Sequence, residues 1–189
     1  MADILSCSLD ELRGLFEKFG EKPFRANQVF DWIYTKRVAS LSEMTNLSKG
    51  LRERLEKSLA FPVMDIAQRQ VSSDGTEKFL LALEDGNYIE SVLLKHPDHT
   101  TFCISSQVGC PLNCSFCATG AGGFTRDLTP GEIVGQVVLM EREQGRPVDN
   151  IVFMGAENRG PQDPVSSFSL STSRERNERL KYDLSRLFK

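Results

Sequence analysis

Between residues 101 and 154 the chain reads strand, loop, helix, strand, and that order restricts this stretch to parallel α/β architecture. Residues 102–108 are the first strand. Thr129-Pro130-Gly131-Glu132 then supplies an N-cap, a proline at the first helical position and a capping glutamate. Ile133, Val134, Val137, Val138 and Met140 make the buried stripe of the helix, and Gly145 closes it. Residues 150–154 are the next apolar strand. Two strands joined by one helix run parallel, as at the start of a (β/α) barrel or an open parallel sheet. One such unit by itself leaves the edge of its second strand open.

The loop of this unit carries Cys110-Pro-Leu-Asn-Cys114-Ser-Phe-Cys117. Three thiolates at this spacing hold three irons of a [4Fe–4S] cube and leave the fourth iron for a small-molecule ligand. A zinc site completed by Cys103 or His99 is the alternative, but the chain has no second C-x2-C knuckle. An electron-transfer ferredoxin would use C-x2-C-x2-C spacing and a fourth cysteine. Four of the five cysteines fall within fifteen residues, too close together for a disulfide framework. The first residues lack the basic and apolar regions of an export signal. Metal-bound thiolates in a reducing cytoplasm follow as the expectation.

Upstream, the period of the apolar residues changes once. Up to about residue 62 it is helical. Ser8 and Glu11 make a capping box ahead of Leu9, Leu12, Leu15, Phe16 and Phe19, with Gly20 as the stop. A second helix is predicted over 26–34, burying Val29, Phe30 and Ile33. A third is predicted near 48–59, with Leu51, Leu55 and Leu59 on one stripe. Strands are predicted over 65–71, 77–83 and 88–94, separated by Asp74-Gly75 and Asp85-Gly86 turns. Phe79, Leu81 and Leu83 share one face. Tyr88, Glu90, Val92 and Leu94 share another, so Glu90 would sit among apolar neighbours if that face is covered.

The net charge of −3 argues against a large basic nucleic-acid surface, leaving any RNA contact to local patches. No run of 18 apolar residues is present, so no membrane helix is expected. After Gly155 the pattern becomes serine-rich and poor in apolar residues until Leu180. A disordered stretch, with a weak helix over 174–188, is expected there.

The cysteine run, with Phe116 before the third cysteine, resembles the radical S-adenosylmethionine superfamily. The wider string runs Cys103-Ile-Ser-Ser-Gln-Val-Gly-Cys110, Cys117-Ala-Thr, Gly123-Phe124-x-Arg126-x-Leu128, Glu132-Ile133 and Gln136. It is similar to the bacterial dual-specificity RNA adenine-C2 methyltransferases over roughly residues 5–155. The resemblance implies an enzyme that methylates carbon 2 of an adenine in 23S rRNA and in tRNA, with a [4Fe–4S] cluster and two S-adenosylmethionine molecules. It implies Cys110, Cys114 and Cys117 as cluster ligands, Glu90 as proton acceptor, and Cys103 as the transient disulfide partner of a methyl-carrying cysteine. Phe116 would pack over the cluster or cofactor. Burial beside Tyr88 would suit Glu90 to base chemistry. The implied partners are 23S rRNA, tRNA and a flavodoxin-like electron donor, for a cytoplasmic monomer without membrane contact.

The expected architecture is α/β. A helical RNA-binding-type domain (1–62) and an antiparallel strand region (63–98) precede the start of a truncated radical-S-adenosylmethionine barrel with its cluster loop (99–155). A tail unlike the family follows (156–189). The family's Met-Gly-Glu-Pro segment, which grips the cofactor's amino group, is replaced by Gly155-Ala-Glu157-Asn, leaving Gly155 and Glu157 as weak stand-ins. No cysteine follows Cys117, so methyl transfer by the 189-residue chain alone is not expected. A truncation, a frameshift or an inactive variant would each account for the tail. Two alternatives remain open: methylation of carbon 8, and a non-catalytic, metal-stabilised RNA-binding fragment.

Overall fold

The computed structural model describes residues 1–112, 115, 117–154 and 170–171. These fall into two compact units, one built from Met1–Pro62 and Pro130–Gly145, the other from Val63–Thr129 and the described residues from Arg146 on.

The first unit is helical. A short strand β1 (Ala2–Asp3) pairs in parallel with β2 (Leu59–Ala60), so the two ends of the first segment meet. Helix α1 (Leu9–Lys18) carries the expected capping box: the Ser8 amide donates to Glu11 Oε2 at 2.7 Å, and the Glu11 amide donates to Ser8 Oγ at 3.3 Å. Helix α2 (Phe24–Tyr34) starts two residues earlier than predicted, just after Pro23. Helix α3 (Lys49–Glu56) ends before Leu59, which enters strand β2. Leu59 is buried as predicted, but by strand pairing and not on a helical stripe. Phe16, Val29, Ile33, Met44 and Leu55 are fully covered and form the core.

The long helix, numbered α5 (Pro130–Gln144), also belongs to this unit. Its first turn meets the N-terminal segment. The Gly131 amide donates to Ser6 Oγ at 2.8 Å. A side chain at Gly131 would place its Cβ 1.5 Å from Asp3 Oδ2, so only glycine lets that carboxylate approach. Further along, Arg37 Nε donates to Glu141 Oε2 at 2.8 Å. Arg37 itself has φ 58°, a left-handed backbone unusual for a side-chain-bearing residue.

The second unit is a six-stranded sheet in the order β10-β9-β6-β5-β4-β3. The strands are β3 (Met64–Val71), β4 (Glu77–Leu83), β5 (Tyr88–Lys95), β6 (Thr100–Ser105), β9 (Asn150–Met154) and β10 (Leu170–Ser171). From β3 to β6 neighbours are antiparallel. The predicted turns close the first two hairpins, with Gly75 at φ 83° and Gly86 at φ 82°. Strands β6 and β9 are parallel, as their helical connection requires. The outer edge of β9 is not left open throughout: Leu170 pairs with Ile151 and Ser171 with Asn150, antiparallel. This short strand lies in the serine-rich stretch that shows no strand pattern. The predicted 174–188 helix lies outside the described residues.

The predicted strand over 102–108 is two strands. It breaks at Ser106, and β7 (Gln107–Gly109) leaves the large sheet to pair antiparallel with β8 (Phe124–Asp127). A four-residue helix α4 (Ala118–Ala121) lies between them. Neither β8 nor α4 announces itself in the sequence, because four residues span barely one helical turn or two strand repeats, too few for a pattern to recur.

Candidate functional site

Strand alternation and register assign each side chain to one of two sheet faces. Phe79, Leu81, Leu83, Ile89, Leu93, Phe102, Ile104, Ile151 and Phe153 fall on one face, and all are buried. The opposite face carries Lys78 and Leu80 on β4, Tyr88, Glu90 and Val92 on β5, Cys103 and Ser105 on β6, and Val152 on β9. This is the more open face, with Tyr88 55% and Val152 44% exposed.

Glu90 and Cys103 therefore share a face on adjacent strands. Cys103 lies directly opposite Val92, and Glu90 is two residues along. Such diagonal neighbours lie about 7–8 Å apart. Ser105 Oγ donates to the Glu90 carbonyl at 2.7 Å and fixes the backbone between them. The burial expected for Glu90 beside Tyr88 is not found. Its side chain is 45% exposed, and Lys78 Nζ donates to Oε1 at 2.9 Å. The alternation correctly groups Tyr88, Glu90 and Val92, but the sheet buries the other face. Cys103 is half-buried, and that burial raises its thiol pKa above the ordinary value.

The cysteine loop begins where β7 ends. The Cys110 amide donates to the Gly123 carbonyl at 2.9 Å, the Gly123 amide to Gly120 at 3.1 Å, and the Ala121 amide to the Cys117 carbonyl at 3.1 Å. Cys110 and Cys117 are thus tied to each other through three backbone hydrogen bonds. Both carry free, half-exposed thiols. Their donor chemistry fits a thiolate-ligated cluster, and two of the three expected ligands sit on one short loop. Cys114 and Phe116, like Gly155 and Glu157, lie outside the described residues. Among the described residues no three ligating side chains converge. Cys7, Cys103, Cys110 and Cys117 are all free, so none of them is in a static disulfide.

A side-chain contact secures this loop. Arg126, opposite Val108 in the hairpin, donates to Asp85 Oδ2 from Nε at 2.8 Å and holds the same oxygen from Nη2 at 2.7 Å. Asp85 lies in the β4–β5 turn. Hydrogen bonds from Asn87, with that of Arg126 behind them, hold its carboxyl down at about 2. Sequence reasoning did not single out Lys78, Ser105, Gly109 or Asp85 as site residues. Alternation on β4 was the one available signal, since it puts Lys78 on the face of Leu80; the rest depend on contacts across strands.

Residues 2–60 match the family model described as the ribosomal RNA large subunit methyltransferase N-terminal domain. A probable dual-specificity RNA methyltransferase RlmN from Thermotoga neapolitana is 49% identical over 156 residues, 82% of this chain and 46% of the relative. The like-named protein of Bacillus velezensis is 48% identical over 155 residues, 80% of this chain and 43% of its own length. Among solved structures, a radical SAM methyltransferase from Sphaerobacter thermophilus matches with a TM-score of 0.75 and 41% identity, over 82% of this chain and 47% of that one. The chain spans about half the length of the curated relatives it matches.

Proposed function

Because the chain matches the amino-terminal half of radical S-adenosylmethionine RNA methyltransferases, we propose that it is part of an enzyme that methylates carbon 2 of an adenine in 23S rRNA and tRNA. That carbon lies between two ring nitrogens and is electron-poor, so it does not attack a methyl sulfonium as a nucleophile. A bound [4Fe–4S] cluster would supply the single electron needed to open a radical route from S-adenosylmethionine.

The residue roles are those that the resemblance implies. Cys110, Cys114 and Cys117 would hold the cluster as thiolates. Glu90 would accept the proton lost from carbon 2, with Lys78 holding its carboxylate in place on the open sheet face. Cys103, whose thiol pKa is raised by burial, would form the transient disulfide with a methyl-carrying cysteine of the full-length enzyme, the bond from that second sulfur to the transferred carbon breaking as the sulfur–sulfur bond forms. The observation that carries this reading is that Glu90 and Cys103 share one sheet face while the strand bearing Cys103 runs on toward the cysteine loop. Gly155 and Glu157 would reach the cofactor's amino group. An electron-donor protein and action as a cytoplasmic monomer complete the proposal. So does the division into a helical RNA-contacting domain (1–62), a strand region (63–98) and a cluster-bearing segment (99–155).

Anaerobic reconstitution of the chain tests it. The expected result is about four iron and four sulfide per chain, with a visible and paramagnetic spectrum that changes when S-adenosylmethionine is added. Zinc bound without sulfide would favour a metal-stabilised RNA-binding fragment, and an iron spectrum indifferent to S-adenosylmethionine would remove the radical chemistry. In the full-length enzyme, nucleoside analysis of modified rRNA and tRNA should yield 2-methyladenosine; 8-methyladenosine would move the reaction to the other carbon.

A further inference from the structure

We propose that the β7–β8 hairpin is a clasp that sets Cys110 and Cys117 in place before a cluster arrives, with Gly109 and Gly123 as its positioning residues. The inference rests on the cluster reading above and adds to it which residues shape the loop.

The hairpin closes the cysteine loop at its base. The Leu128 amide donates to Ser106 at 3.0 Å, Gln107 pairs with Asp127, Val108 with Arg126 and Gly109 with Phe124. The ladder shifts register at Gly109, where the chain turns at φ 73° and delivers the Cys110 amide to the Gly123 carbonyl. Gly123 turns back at φ 72° and passes the connection through Gly120 toward Cys117.

The two glycines are not equivalent. A Cβ at Gly109 would lie 1.9 Å from the Gly123 carbonyl oxygen, so any side chain there must push the two backbones apart and break the Cys110 bond. A Cβ at Gly123 meets nothing within 4 Å, leaving only the left-handed backbone strain. Gly75, in the β3–β4 turn, has the same open surroundings and a similar φ of 83°. Arg126 anchors the far strand of the clasp on Asp85. A hairpin that merely helped the sheet fold would lose its dichroism signal together with its iron when Gly109 is substituted, because the clash there is with backbone, whereas a clasp loses iron with the dichroism unchanged. A clasp for thiolates is sensitive at Gly109 above all.

The test uses the full 189-residue chain, reconstituted without oxygen, with iron and sulfide per chain, the paramagnetic spectrum of the reduced centre and far-UV circular dichroism as readouts. Gly75→Ala should load like the unsubstituted chain. Gly123→Ala should load less, and Gly109→Ala should lose iron about fivefold or more, with a broadened or altered spectrum for what remains. If Gly109→Ala fails to fold, Asp85→Asn serves: an unchanged dichroism spectrum with faster iron loss to a chelator supports the clasp, and unchanged iron loss overturns it. A loaded Gly109→Ala chain indistinguishable from Gly75→Ala overturns the clasp alone. An unsubstituted chain that takes up no iron and sulfide overturns the cluster reading and the clasp with it.

Discussion

Glu90 shows how much one residue's role depends on which side of a strand it occupies. Its carboxylate is neither buried nor alone: Lys78 reaches it from the neighbouring strand, and both side chains are nearly half exposed. A pair so exposed contributes about 0.2–1 kcal/mol. Glu90→Gln is therefore expected to leave the chemical-denaturation midpoint almost unchanged, and a loss of several kcal/mol would show the residue to be structural. Cys103 and the loop cysteines separate in the same way. Cys103→Ser should leave iron uptake intact, since Cys103 lies on the sheet and outside the loop, whereas Cys110→Ser and Cys117→Ser should each abolish stable uptake. Equal loss in all three would make Cys103 a ligand. Cys7 offers a third contrast. Burial, with Glu11 and Asp3 adding to it, pushes its thiol up to about 11. Alkylation of Cys7 should be slow at neutral pH and accelerate as pH rises toward that value; fast labelling at pH 7 would contradict the burial.

At the scale of elements, the face of the sheet that packs inward carries a buried carboxylate, Glu77 on β4, held by the more exposed Arg69 on β3 and Lys95 on β5. Burial by itself would raise its carboxyl. The hydrogen bonds from Lys95 and Arg69 outweigh it, and the pKa lies below the ordinary value. A carboxyl lowered by folding adds stability that is fully present above the unfolded value of about 4.3 and is lost as pH falls through the lower folded one. The unfolding midpoint should therefore drop in that acid window, and Glu77→Gln should reduce the drop while lowering stability at pH 7. An unchanged acid profile in the variant would assign the loss to other groups. The same element level explains the break at Ser106. Residues 102–108 contain no glycine, proline or charge to interrupt them, so local pattern sees one strand; the strand partners differ on either side, so the structure has two.

At the scale of the molecule, the helical unit is discontinuous in sequence. Helix α5 joins it from far downstream, through Gly131 on Ser6 and Glu141 on Arg37. Residues 1–62 alone should be less stable than the same fragment supplied with a 130–145 peptide, as read by the urea midpoint of the helical signal. No shift on adding the peptide would mean that the contacts contribute nothing. The order and type of the long elements were determined by the sequence alone, because helical and alternating apolar periods, caps and Asp-Gly turns act within a few residues. The cysteine spacing, a local property too, marked the loop proposed to hold the cluster. Only the tertiary structure decided which face of the sheet is buried, that Lys78 meets Glu90, that Gly109 lies against Gly123, and that Ser6 receives a helix 125 residues away. Those facts depend on strand register and on contacts between distant segments, and no local pattern carries information about a partner it does not touch in sequence.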